Sequence, residues 1–213
     1  MAALKDFFAH TPADCGMAFV VVLHLSPDYE SHLAQVLQTA TRIPVTQVRD
    51  RDRVRPNHIY VVSPNRSLAM NDGHLSVSEI TRIEERRAPI DIFFRTLADS
   101  HRMRAVSVVL SGTGADGSMG MKRVKENGGL CLVQDPGEAE HGDMPRNCIA
   151  THLVDQILPV SQIPSRIVSY DRHRKTVMIP ASAIERDEPA EQALRDIFTQ
   201  LRMRTGHDFA SYK

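Results

Sequence analysis

A chain of 213 residues with 42% hydrophobic and 24% charged residues is long enough to bury one good core and too apolar to stay unfolded. Its 26 Lys and Arg balance 26 Asp and Glu, so the formal net charge is zero and no global field favours nucleic acid or anionic lipid. Cys15, Cys131 and Cys148 stand far apart with no Cys-x-x-Cys, which argues against a disulfide framework or zinc site and for a reducing compartment.

In chain order, residues 1–8 read as the apolar face of a helix with no cap before it, so the chain is expected to begin inside an element. Residues 17–23 form a buried-strand run. It is the longest apolar run, and it falls far short of the roughly 20 residues of a spanning helix. With no signal-peptide pattern at residues 1–10, a cytoplasmic protein without membrane insertion is expected. Tyr29, Leu33, Val36, Leu37 and Ala40 then keep helical spacing after Pro27 and Asp28. Residues 45–48, 58–62 and 74–78 are short strand candidates. Turn chemistry at Ser63-Pro64-Asn65 and Asn71-Asp72-Gly73 predicts that the last two form a local hairpin.

Ile90, Phe93, Phe94, Leu97 and Ala98 mark a helix, residues 104–110 a buried strand, 119–126 a helix, 130–134 a strand and 154–158 one more. Strands alternating with helices predict an α/β fold, a doubly wound, mostly parallel sheet with helices on both faces and a small β-hairpin. Sites in such folds lie at the carboxyl ends of the strands. Residues 171–188 shift to Arg, Lys, Asp and Glu with fading periodicity and read as a linker. A terminal helix follows from Pro189, with Leu194, Ile197, Phe198 and Leu201 on one face and Gly206 placed to end it. One helix cannot make a domain, so the chain is also expected to stop short of a second one.

Two features carry candidate chemistry. His24 closes the strand at residues 19–23, where an α/β sheet presents groups to a ligand; as a general base it needs a carboxylate partner, and a hydrogen-bonded structural histidine is the competing reading. Ser111-Gly112-Thr113-Gly114-Ala115-Asp116-Gly117 lies directly between a strand and a helix. In one reading Asp116 orients His24 and a loop amide donates to a developing oxyanion, which is an acyl-transfer site. In the other, Gly112, Gly114 and Gly117 form Gly-x-Gly-x-x-Gly with Asp135 as the ribose-binding acid, which is a dinucleotide site. The Arg-rich stretches 49–55 and 82–87 are interrupted by acids and read as solvated faces. His10, His24 and His32 with Cys15 lack metal-ligand spacing, so no metal is assigned, and His207 and Asp208 read as loop residues beyond the last helix.

Five ordered strings favour the first reading. Leu23-His24-Leu25-Ser26-Pro27, Pro56-Asn57-His58-Ile59-Tyr60, Pro89-Ile90-Asp91-Ile92-Phe93-Phe94, the turn Gly112–Gly117 and Met144-Pro145-Arg146 together resemble the methylesterase family of bacterial chemotaxis, CheB, over about residues 1–168. The resemblance implies a doubly wound esterase that hydrolyses glutamyl methyl esters on chemoreceptor cytoplasmic helices and deamidates receptor glutamines, with a Ser-His-Asp triad and no cofactor. It makes His24 the general base, Asp116 its orienting acid and the Thr113 backbone amide the oxyanion donor. Thr113 and Ala115 depart from the family's commoner Met and Asn.

The family's serine lies in a Gly-x-Ser-x-Gly-Gly turn just before the helix that here begins at Met1, so the resemblance places the first strand and the nucleophile outside these 213 residues and implies that the isolated chain is inactive. Ser26 and Ser111 lack that context. Residues 201–209, Leu-Arg-Met-Arg-Thr-Gly-His-Asp-Phe, are similar to the opening of the partner methyltransferase, CheR. That resemblance implies an esterase domain at residues 1–170, a linker at 171–188 and the start of a methyltransferase helical subdomain at 189–213, whose S-adenosylmethionine site would lie beyond Lys213. A non-catalytic module binding receptor tails or partners is the alternative, and histidine kinase or response-regulator proteins are further expected partners.

Overall fold

The computed structural model describes residues 1–23, 32–82 and 86–176. The chain divides into two compact units, Met1–Asp171 and Arg172–Lys213, and every described strand belongs to the first. In chain order the elements are helix α1 (Ala2–Ala9), strand β1 (Ala18–Val21), helix α2 (Leu33–Gln38), and strands β2 (Val45–Gln47), β3 (Asp52–Arg53), β4 (His58–Val61), β5 (Arg66–Asn71) and β6 (His74–Glu79). Helix α3 (Pro89–His101), strand β7 (Val106–Val109), helix α4 (Ser118–Glu126), strand β8 (Leu130–Gln134), helix α5 (Asp143–Ile149), strand β9 (Gln156–Leu158) and helix α6 (Ile163–Thr176) complete the order.

Two three-stranded parallel sheets, ordered β1-β4-β2 and β7-β8-β9, form the middle layer. Their side chains alternate between two cores, as a strand buried on both faces requires. Ile59 and Val61 of β4 and Leu130 and Leu132 of β8 pack with Phe7 and Phe8 of α1, Leu37 of α2 and Ile163 and Ile167 of α6. Tyr60, Cys131 and Val133 point the other way, onto Phe93, Phe94 and Ala98 of α3, Met121 and Val124 of α4 and Cys148 of α5. Helices therefore cover both faces, as the sequence predicts. Phe7 and Phe8 meet edge to face at 5.0 Å and each meets Phe19 the same way, at 6.0 and 5.6 Å.

The hairpin differs from expectation. His58–Val61 is a parallel strand, and the hairpin is β5 with β6, joined by Asp72 and Gly73 at φ 45° and 75°. Two positive-φ residues in a two-residue loop make a type I′ turn, which matches the twist of its strands. The antiparallel sheet β3-β6-β5 leans on α3, where Thr96 Oγ1 accepts the Met70 N–H at 3.0 Å. Helices α5 and α6 lie where the sequence suggests none, and α6 runs through Thr176, so the first residues of the expected linker are helical. The expected helix start near Pro27 and the terminal helix from Pro189 lie outside the described residues.

β1 ends one parallel sheet and β7 ends the other. Between them runs an apolar cleft of about 220 Å³, bordered by Ala18 and Val20 on one side and Val106 and Val108 on the other. A second cavity of about 460 Å³ is bordered by the carboxyl ends of both strands.

Candidate active site

That second cavity gathers the predicted acid and amide. It is bordered by Val21 and Leu23 from the end of β1 and by Ser111, Thr113 and Asp116 from the turn after β7, with His141 and Met144 closing it. The turn is held from three sides. Ser111 N–H donates to Gln134 Oε1 at 2.8 Å, and Ser111 Oγ accepts the His141 N–H at 3.0 Å. Gly112 donates to His141 O at 2.9 Å and accepts the Met144 N–H at 3.0 Å, while Asn147 Nδ2 donates to Gly114 O at 2.8 Å. The Met-Pro-Arg string thus marks the helix that latches the turn.

Asp116 is half-buried, and both its oxygens face the first turn of α3. Ile90 N–H donates to Oδ2 at 3.0 Å and Asp91 N–H to Oδ1 at 2.9 Å. Ala88, at the N-cap position of α3, makes no side-chain cap bond, so a carboxylate 26 residues downstream of Ile90 takes that role. Removal from water pushes the Asp116 carboxyl above its ordinary value; the Ile90 and Asp91 amides pull it down, and the Asp91 charge pushes it up again. A carboxylate has about four lone-pair sites, so accepting capacity remains for an imidazole. Thr113, whose N–H has no hydrogen-bond partner among the described residues, borders the same cavity. Gly114 and Gly117 have φ of 86° and 96°, which carries the backbone sharply around the acid.

The glycines do not make a phosphate cradle. The Gly112 N–H is spent on His141 O, and a Cβ there would collide with Met144 Sδ, so the space above Gly112 is filled. Asp135 Oδ1 accepts the Gly137 N–H at 2.8 Å and closes a local turn. The dinucleotide reading loses its support.

A family profile described as CheB methylesterase matches residues 1–167. The chain belongs to the CheB methylesterase family. A Leptospira interrogans relative is 30% identical over 172 residues, which cover 80% of this chain and 89% of that protein. A Geobacter metallireducens protein named protein-glutamate methylesterase/protein-glutamine glutaminase 1 is 30% identical over 172 residues, 79% of this chain and 47% of its own length. The crystal structure of the Thermotoga maritima CheB methylesterase catalytic domain superimposes with a TM-score of 0.71 over 79% of this chain and 91% of that one; at 24% identity this likeness concerns the fold.

His24 lies outside the described residues; Leu23, the residue before it in the chain, borders the same cavity as Asp116. Sequence reasoning missed His141, Asn147 and the Asp91 N–H that holds Asp116. Their signal was weak, because each acts through a loop or helix end that periodicity does not reveal. Among the described residues no group of acids, histidines and cysteines is arranged to hold a metal, and no helix is long and apolar enough to cross a membrane.

Proposed function

We propose that this domain serves hydrolysis of glutamyl methyl esters, and deamidation of glutamines, on cytoplasmic chemoreceptor helices, with Asp116 orienting His24 and the Thr113 amide receiving the oxyanion. The observation that carries this is the shared cavity: the carboxyl ends of β1 and β7 border one space, with Asp116 and a free amide on one side and Leu23 on the other. A serine hydroxyl attacks the ester carbonyl while His24 takes its proton. The negative charge that develops on the carbonyl oxygen is met by the Thr113 N–H. The tetrahedral species collapses with loss of methanol as His24 returns the proton, and water then hydrolyses the acyl-enzyme by the same route. Asp116 keeps the imidazole in the right tautomer and stabilises its protonated form. No cofactor is required for these steps.

The serine is not among the 213 residues in the needed context, and we place it on a segment seated between β1 and β7. The apolar cleft and the two facing sheet edges support that seat. We assign residues 189–213 to the start of a methyltransferase module that would bind S-adenosylmethionine beyond Lys213, with residues 171–188 joining the two, and expect kinase or response-regulator proteins to gate the site in the cytoplasm.

Methanol release from a methylated receptor fragment tests the reading. The full-length gene product is expected to be active, and Asp116→Ala to cost on the order of 10⁴-fold and His24→Ala about a millionfold in kcat without loss of receptor binding. The 213-residue chain alone is expected to fall about a millionfold below it, the loss a serine protease suffers without its serine. Full activity from the 213 residues would refute an outside nucleophile, and receptor binding with no hydrolysis by the full-length product would leave a binding module.

A further inference from the structure

We infer that Asp91 is a positioning residue for Asp116, acting through the first turn of α4. Asp91 is 7% exposed, and no cation lies within ion-pair distance of it among the described residues. A buried carboxylate without a cation needs another source of positive potential, and a helix N-terminus supplies one. Asp91 Oδ1 accepts the Gly120 N–H at 2.6 Å, one of the free donors at the start of α4.

The two helices therefore exchange caps. Asp116, just before α4, holds the start of α3 through Ile90 and Asp91; Asp91, in the first turn of α3, holds the start of α4 through Gly120. Chain and hydrogen bonds close a ring, from Asp116 along the backbone to Gly120, across to the Asp91 side chain, and back from the Asp91 N–H to the Asp116 carboxylate. The backbones touch inside it. A Cβ at Gly120 would lie 2.8 Å from both Cα and O of Asp91 and 2.7 Å from Phe94 Cβ, and one at Gly117 would lie 3.1 Å from Ile90 Cγ2. With the helices in contact there, a shift of the first turn of α3 moves the two amides that aim Asp116. The Asp91 side chain resists that shift because its bond to Gly120 ties the turn to the segment that carries Asp116. Its value to catalysis rests on the esterase reading above; the mechanical coupling does not.

Amide hydrogen exchange on the 213-residue chain tests the coupling. Asp91→Ala removes the acceptor and should speed exchange about tenfold at Gly120 and also at Ile90 and at position 91, with Leu130 to Gln134 unchanged. Asp91→Asn keeps an oxygen in place and should hold all three within about threefold. If Asp91→Ala does not fold, Asp91→Ser, which shortens the side chain, carries the same comparison. Faster exchange at Gly120 alone would reduce Asp91 to a local cap and overturn the proposal, as would an Asp91→Asn variant as disturbed as Asp91→Ala. In the full-length product the same pair should separate by kinetics: Asp91→Ala lowers kcat about tenfold at unchanged KM, and Asp91→Asn restores it within about twofold. Coupled exchange in a product that never hydrolyses esters would sink the esterase reading and leave the coupling standing.

Discussion

Replacing Asp116 tests its structural duty apart from its chemistry. The carboxylate accepts two N–H groups of α3 at 3.0 and 2.9 Å in a half-buried position. Removing a helix cap costs about 0.5–2 kcal/mol, and bonds to a charged acceptor sit at the upper end of the range, so Asp116→Ala should destabilise the domain by about 2 kcal/mol. For a domain of this size that is a fall in Tm of roughly 4–8 °C. Asp116→Asn retains one acceptor but turns its NH2 toward the second donor, so it should lose about 1 kcal/mol rather than behave as wild type. Urea unfolding of the 213-residue chain, followed by circular dichroism, measures both. The order wild type, Asn, Ala is the expected result. Asp116→Ala within about 0.5 kcal/mol of wild type would mean the carboxylate does not cap α3, and the ring through Asp91 would lose its first link.

Gly120→Ala gains about 1 kcal/mol of helix propensity but drives its Cβ to 2.7–2.8 Å from Asp91 and Phe94, so a net loss of about 2 kcal/mol by the same assay is expected, and a stabilised variant would show that α3 and α4 are not in contact there. The raised Asp116 carboxyl means that the folded chain holds this proton more tightly than the unfolded one; its contribution to stability is full below the ordinary value of 3.8 and is lost as pH rises through the raised folded value. Carbon NMR titration should place the Asp116 midpoint above 3.8, with Asp91→Asn lowering it by removing a like charge, and a midpoint below 3.8 would contradict the burial. Burial pushes all three thiols up, Cys131 to about 11 and Cys148 to about 12, but only Cys15 is partly exposed, so a thiol reagent at pH 8 should label Cys15 slowly in the native chain and the other two only after unfolding. Rapid native labelling of all three would contradict the placement of β8 and α5.

How far the sequence could be read depended on how much of each element's identity is local. β8 carries four apolar residues, is buried throughout and matches its expected span, because a strand covered on both faces leaves a continuous run. α3 shows a clear apolar stripe and was equally legible. The hairpin was not. Arg66–Asn71 contains Ala69 and Met70, which favour no strand, and β4 reads as a hairpin partner although its hydrogen bonds go to β1 and β2. Only Asp72-Gly73 named the true partner of β6. α5 has seven residues with Pro145 in its first turn, too short for a period, and α6 hides Ile163, Ile167 and Tyr170 among Arg, Ser and His. At the site, Asp116 was found by its turn, whereas Asp91 was read only as part of a motif. Its role depends on a bond to an amide 29 residues away.

The direction of the two sheet edges limits how a nucleophile can reach this acid. The amino ends of β1 and β7, at Ala18 and Val106, border the apolar cleft, and their carboxyl ends border the cavity that holds Asp116. A strand advances about 3.3 Å per residue, so the four residues of each edge separate the two ends by roughly 10 Å. A segment seated in the cleft parallel to both would turn at the cavity and set a serine beside Asp116 and the Thr113 amide. Seated antiparallel, it would leave its turn at the far end, beyond the reach of any side chain. The proposed nucleophile must therefore follow a strand running with β1 and β7, and the two helices that begin at the same end, α3 and α4, point their positive ends at the acid that would orient its base.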